Sequence, residues 1–280
     1  MVFIKFYLIL QSKTNTMRKA YYFLLVSLLS CVACQLNLKS NEEEGQAPMI
    51  EIERYDRLEY RYLTTGDFSA LQEMNTEYAI ETRTLIEDVL KLGTATDSEI
   101  NTKLLKFYQD TTLQMLIADA ETQYADMEDL NKELNTAFTK LKKWFPDMKI
   151  PQVYSQLADG IDESIVIGNQ SIAISLDKYL GEDYPLYLKH YPETQRRLMT
   201  REMVLPDALC FYLISVFPLK QFESRPQEER DLHIAKIQWI VNQSLERNAF
   251  DSEGVRKVGM YMKNHPKTTY EELLKTQTSL

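Results

Sequence analysis

Ser164-Ile165-Val166-Ile167-Gly168-Asn169-Gln170-Ser171-Ile172-Ala173-Ile174-Ser175 decides the fold class. Two apolar, β-branched runs flank Gly168-Asn169, residues that favour a tight turn, so the stretch predicts a β-hairpin. Just upstream, Ile150-Pro151-Gln152-Val153-Tyr154 reads as a further strand. A small antiparallel sheet of roughly three strands is expected around this hairpin.

Everything on either side reads as helix. No proline occurs between Pro48 and Pro146, a stretch of 97 residues whose only glycines are Gly66 and Gly93. Proline breaks helices and glycine weakens them, so this stretch is free to be almost wholly helical. The turn-like Thr64-Thr65-Gly66-Asp67 and Gly93-Thr94-Ala95-Thr96 divide it, predicting helices over 50–63, 67–92, 97–122 and 126–145. Thr96-x-x-Glu99 has the spacing of a capping box. Ile100, Leu104, Phe107 and Tyr108 then share one helical face. Downstream of the hairpin, Thr200 is expected to open a helix to Phe217, with Pro206 marking a kink or a later start. Ser224-x-x-Gln227 opens another helix to about Arg247, a short one follows from Asp251 to Met262, and Thr269-x-x-Glu272 caps the last. The predicted class is α+β, mostly α-helical: a helical layer carrying a small antiparallel sheet, in a single domain over 49–280.

Charge is unevenly placed. The 280 residues carry 41 acids and 32 Lys plus Arg, a net charge of −9, with 44% hydrophobic residues. This is a globular composition. Residues 1–30 hold four cations (Lys5, Lys13, Arg18, Lys19) and no acid, so the remaining 250 residues sit at −13. An acidic body excludes nucleic acid as a default partner, because a phosphate backbone needs a basic surface.

The basic front reads as an export signal. From Met17 the chain runs Arg18-Lys19, then an uncharged, mostly apolar stretch from Ala20 to Leu29, too short for a membrane-spanning helix and suited to a signal-peptide core. Leu28-Leu29-Ser30-Cys31 fits the lipobox of bacterial lipoproteins, and Cys34 offers a looser match. Residues 1–30 are therefore expected to be a signal peptide, with translation starting at Met17. Cys31 is the expected acylated residue and Cys34 the alternative. Each buried CH₂ of an acyl chain adds about 0.8 kcal/mol of membrane affinity, so three chains anchor the N-terminus firmly. Residues 31–48, polar and including Glu42-Glu43-Glu44, form a lipidated, solvated tether. The expected address is the cell envelope, anchored to the outer membrane on its periplasmic or surface face.

No reaction is written in the usual motifs. The chain has three histidines, His190, His233 and His265, none in a His-Glu-x-x-His pattern. No metal and no cofactor are expected. Asp159-Gly160-Ile161-Asp162-Glu163 and Gly181-Glu182-Asp183 are oxygen-rich, but they lack the alternating spacing of a calcium loop and read as acidic turns and caps. Cys210 sits in the apolar run Ala208–Ile214 and reads as a buried, inert thiol. The 17 tyrosines read mainly as core and half-exposed packing, with a glycan platform as the functional alternative.

Two segments carry a resemblance. Ile172 to Tyr187, containing Leu176-Asp177-Lys178-Tyr179-Leu180-Gly181-Glu182-Asp183, resembles the GldB-type lipoproteins of Bacteroidetes, named for gliding motility. Met199-Thr200-Arg201-Glu202-Met203-Val204-Leu205-Pro206-Asp207-Ala208-Leu209 is similar to the same kind of protein. The resemblance implies an anchored envelope lipoprotein tied to a motility and secretion apparatus. That family in turn looks distantly like gluzincin metallopeptidases, which implies a degenerate zincin-like fold. Here the helix that would bear His-Glu-x-x-His has Arg201-Glu202-Met203-Val204-Leu205 and lacks both histidines, which implies a pseudo-enzyme.

The expected function is a non-catalytic component of an envelope assembly, attached to the membrane by its N-terminal lipid and binding other envelope proteins. One alternative is a hydrolase of peptides or cell-wall polymers using Glu202 and Asp207 in the old groove. Another is a glycan-binding lipoprotein.

Overall fold

The computed structural model describes residues 49–161, 164–168 and 170–276. Cys31, Cys34 and the tether lie outside them. Residues from Met49 onward form one compact unit.

A four-stranded sheet separates two helical layers. Its strands are β1 (Ile52–Glu53), β2 (Gln152–Gln156), β3 (Ile165–Ile167) and β4 (Ser171–Ser175), in the order β1-β2-β4-β3. The expected hairpin is present as antiparallel β3 and β4. The sheet as a whole is mixed rather than antiparallel, because β1 runs parallel to β2 and β2 parallel to β4. After β2 the chain passes the neighbouring place, lays β3 at the outer edge, and turns back to fill the gap with β4.

Alternation along the strands explains the two layers. Val153, Ile165, Ile172 and Ile174 face one core, and Tyr154 and Ala173 the other. Both faces are covered, as a sheet with parallel pairs requires. The second core is closed by α1 (Tyr55–Thr65), α2 (Phe68–Thr76), α3 (Ala79–Thr84, continued by a π-turn over Leu85–Val89), α4 (Ile100–Phe107) and α5 (Thr111–Gln123). The first is closed by α6 (Glu128–Trp144), α9 (Val204–Val216), α10 (Gln227–Leu245), α11 (Glu253–Asn264) and α12 (Tyr270–Lys275). The short helix α7 (Pro185–His190) packs Leu186 and Tyr187 with Leu116 of α5 and with Met199 into a small third cluster, and α8 (Glu193–Arg196), which buries no residue, follows it. No helix among the described residues is long and apolar enough to cross a membrane.

Three of the four expected N-terminal helices are shorter or divided. The helix expected from 50 starts at Tyr55, because Ile52 buries its side chain and pairs in β1. Gly66 ends it at φ +69°, with its N–H on the Tyr62 carbonyl at 2.9 Å, the left-handed cap that glycine adopts without strain. The helix expected over 67–92 breaks after Thr76. There the Thr82 hydroxyl donates to the Met74 carbonyl at 2.7 Å and satisfies a group the helix end leaves open. The helix expected over 97–122 becomes α4 and α5, because the Asp110 carboxylate accepts from Thr112 and Leu113 N–H and starts a second helix. The Thr96-x-x-Glu99 box is not formed. Asp97 instead accepts from Glu99 N–H, and α4 starts at Ile100.

Other signals read as written. Glu128–Trp144 matches the fourth helix, and Thr269 and Glu272 make their reciprocal capping box at 3.2 and 2.8 Å. Pro206 is the third residue of α9, in a first turn whose N–H groups have no helical acceptor, so α9 runs through it.

Candidate functional site

The segment that carries the resemblance leaves β4 and sits between the layers. Leu176–Lys178 is a 3-10 turn beyond the C-terminal end of β4. Asp177 is fully buried, and its two oxygens accept from Ala158 and Gly160 N–H, both at 2.7 Å. Burial pushes its carboxyl up to about 6, against the pull of those two amides and of Lys178. Lys178 Nζ donates to the Ile161 carbonyl at 2.6 Å and to Tyr191 Oη at 2.5 Å. The Tyr179 carbonyl accepts from Tyr124 Oη and Gln123 Nε2, both at 2.8 Å. Tyr187 Oη donates to the Asp177 carbonyl at 2.5 Å and accepts from Leu180 N–H at 3.2 Å.

The loop after β2 is held from the other side as well. Tyr108 Oη lies 2.9 and 3.0 Å from the Leu157 and Ala158 carbonyls. Glu59, buried in α1, accepts from Leu157 N–H at 2.7 Å through one oxygen, while its other oxygen is buried without a hydrogen bond. Burial holds the Glu59 carboxyl well above its usual range. Gly160 stands at φ +73°, where a Cβ would come within 2.7 Å of Leu186 and 3.0 Å of Leu116. Gly160 and Ile161 of the acidic Asp159–Ile161 stretch are thus held by Asp177 and Lys178. Among the described residues, no group of three His, Cys, Asp or Glu side chains is placed to hold a metal.

Glu202 and Asp207 lie in unlike surroundings. Glu202 is exposed in the 3-10 turn Arg201–Met203. Its own backbone N–H and the Thr200 hydroxyl hold its carboxyl below the usual range, which is capping. Its carbonyl accepts from Arg247 at 2.7 Å. Asp207 is half-buried in the first turn of α9 and accepts from Tyr179 Oη at 3.0 Å. Burial raises it to about 6, against the Tyr179 hydrogen bond. Tyr179 Oη is also within hydrogen-bonding reach of the Ser164 hydroxyl, so Ser164, Tyr179 and Asp207 form a chain from β3 to α9. Cys210 is buried, and burial pushes its thiol up to about 12, the inert state expected of it.

A cavity of about 530 Å³ opens elsewhere, between α10 and α12, walled by Phe217, Leu232, His233, Lys236 and Leu274. Its volume suits a small molecule. Lys236 Nζ is bonded to the Thr276 carbonyl, and His233 Nε2 is buried without a partner, so burial lowers the imidazole. No tyrosine or tryptophan among the described residues is largely exposed, which leaves no aromatic platform for a sugar ring there.

Sequence reasoning singled out Glu202 and Asp207 but missed Asp177 and Glu59 as buried carboxylates. A signal for Asp177 existed: an acid directly after an apolar strand, where the solvent face of a helix was not on offer. Glu59 had none, because its acceptor role depends on Leu157, 98 residues away.

No match was found among the curated proteins or among the solved structures. The family model described as gliding motility protein GldB matches residues 37–247, which include the whole sheet, the Leu176–Gly181 turn and α9. The chain therefore belongs to the family of the gliding motility protein GldB.

Proposed function

We propose that the protein is a lipid-anchored, non-catalytic member of a cell-envelope assembly and works by binding other proteins. Family membership supports a lipoprotein related to gliding motility. The lipobox at Cys31, with Cys34 as alternative, supports the anchor. The observation that carries the non-catalytic part is the state of the Asp177-Lys178-Tyr179 turn: its charged and polar groups are bonded within the fold. Catalytic acids and bases need access to a substrate atom. Asp177 has none, Glu202 caps its own turn, and Asp207 answers Tyr179. Outer-membrane anchoring is the address this reading takes.

Two measurements test it. The mass of the mature N-terminal peptide is expected to show acylation at Cys31, and an unmodified cysteine pair at 31 and 34 removes the anchor. Cross-linking of the full chain in intact envelopes, followed by denaturing purification, is expected to yield a defined protein adduct. Recovery of the uncoupled chain alone, over several cross-linker lengths, contradicts the binding role.

A further inference from the structure

We infer that the outer edge of β3 is a strand-addition site for an extended, basic segment of a partner protein; this rests on the protein-binding reading above. The ladder shows which groups are open. Ser175 N–H donates to Ser164 O and Gly168 N–H to Ser171 O, both at 2.9 Å. The register between them pairs Ile165 with Ile174, Val166 with Ala173 and Ile167 with Ile172. Bonded and non-bonded pairs alternate in an antiparallel ladder. Val166 is therefore bonded to Ala173, while the N–H and C=O groups of Ile165 and Ile167 point away from β4. Among the described residues, no strand lies beyond β3 and nothing is hydrogen-bonded to those four groups.

The opposite edge is treated differently. At β1, Asn131 and Asn135 of α6 reach over: Ile52 N–H donates to Asn131 Oδ1 at 2.9 Å and Ile50 N–H to Asn135 Oδ1 at 2.7 Å. Asn135 Nδ2 returns a bond to the Ile50 carbonyl at 2.6 Å. β3 has no such cover. It also has none of the guards that block edge pairing, neither lysine nor proline nor bulge.

The floor beside the edge defines the occupant. α9 packs beneath β3 and β4, and its half-buried to exposed stripe is Asp207, Phe211 and Ile214. The Ser164–Tyr179–Asp207 chain fixes the start of that stripe next to the start of β3. Phe211 is 46% exposed, an apolar rest for alternate side chains of an added strand. Asp207 is the one charged residue of α9, so the complementary strand carries Lys or Arg. A second copy is a poor occupant, because β3 against β3 would bring two Asp207 carboxylates to one interface.

The probe is the peptide acetyl-Thr-Val-Lys-Val-Thr-Val-amide, added to the full chain in mild detergent, with amide hydrogen exchange read at Ile165 and Ile167. Exchange at both is expected to slow about tenfold or more as the site fills. Ile167→Pro removes an N–H that faces outward, leaves the β3–β4 bonds in place, and is expected to abolish protection at the remaining Ile165 amide in a chain that still melts cooperatively. Phe211→Lys, on the surface, removes the apolar rest and repels a basic strand, and is expected to weaken it. Unchanged exchange at about 1 mM peptide overturns the inference. So does undiminished peptide binding by Ile167→Pro, or protection that tracks protein concentration without peptide. A cross-linked partner kept by Ile167→Pro sinks the edge site and spares the binding function. Peptide protection with no envelope partner does the reverse.

Discussion

Asp177 shows how one residue type serves two opposite purposes. As a carboxylate in the interior it opposes folding at neutral pH, and as an acceptor of two amides it fixes the loop after β2. Its pKa rises on folding from an ordinary carboxylate value to about 6. The folded state therefore holds a proton that the unfolded chain releases. Stability from this group is full below about pH 4 and is lost as pH rises through about 6, a span worth roughly 2–3 kcal/mol. Asp207 acts in the same direction. Urea unfolding at pH 4.5 and 7 is expected to show this slope, reduced in Asp177→Asn, whose amide imitates the protonated acid. An unchanged slope contradicts the assignment. Gly160→Ala is a second test. It places a Cβ against Leu186 and Leu116 at a left-handed φ, and is expected to cost about 2–4 kcal/mol in the same assay.

At the level of elements, local signals were legible where both partners lie within a few residues. The Thr269–Glu272 box is one, and the β3–β4 hairpin another. The break after Phe107 carried a local signal in Asp110, which caps α5, whereas the break at Thr76 was not legible, because it depends on Thr82 answering Met74. β1 was hidden for the same reason. Two residues become a strand only because Val153 and Asn131 arrive from far along the chain. α12 gives a clean test, since Tyr270 stacks on Trp144 at 4.2 Å and lies 5.6 Å from Trp239, the chain's two tryptophans. Thr269→Ala is expected to cost about 1 kcal/mol and to shift tryptophan emission as α12 loosens. Unchanged emission with unchanged stability would show that α12 docks without its cap.

For the whole molecule, the α+β class, the dominance of helix and the family were readable in sequence. The parallel pairing of β2 with β4 was not, because it depends on a strand placed outside its successor. The site was half legible. Asp207 was named and sits beside the edge strand, while its partner Tyr179 was noted only as part of a motif. In the described body the family segment closes the interior around Asp177. The most direct measurement is the native mass of the full chain released from envelopes in mild detergent. The account predicts a mature chain beginning at Cys31, carrying acyl chains and a bound protein partner. An unacylated chain flying alone at every detergent strength would contradict it.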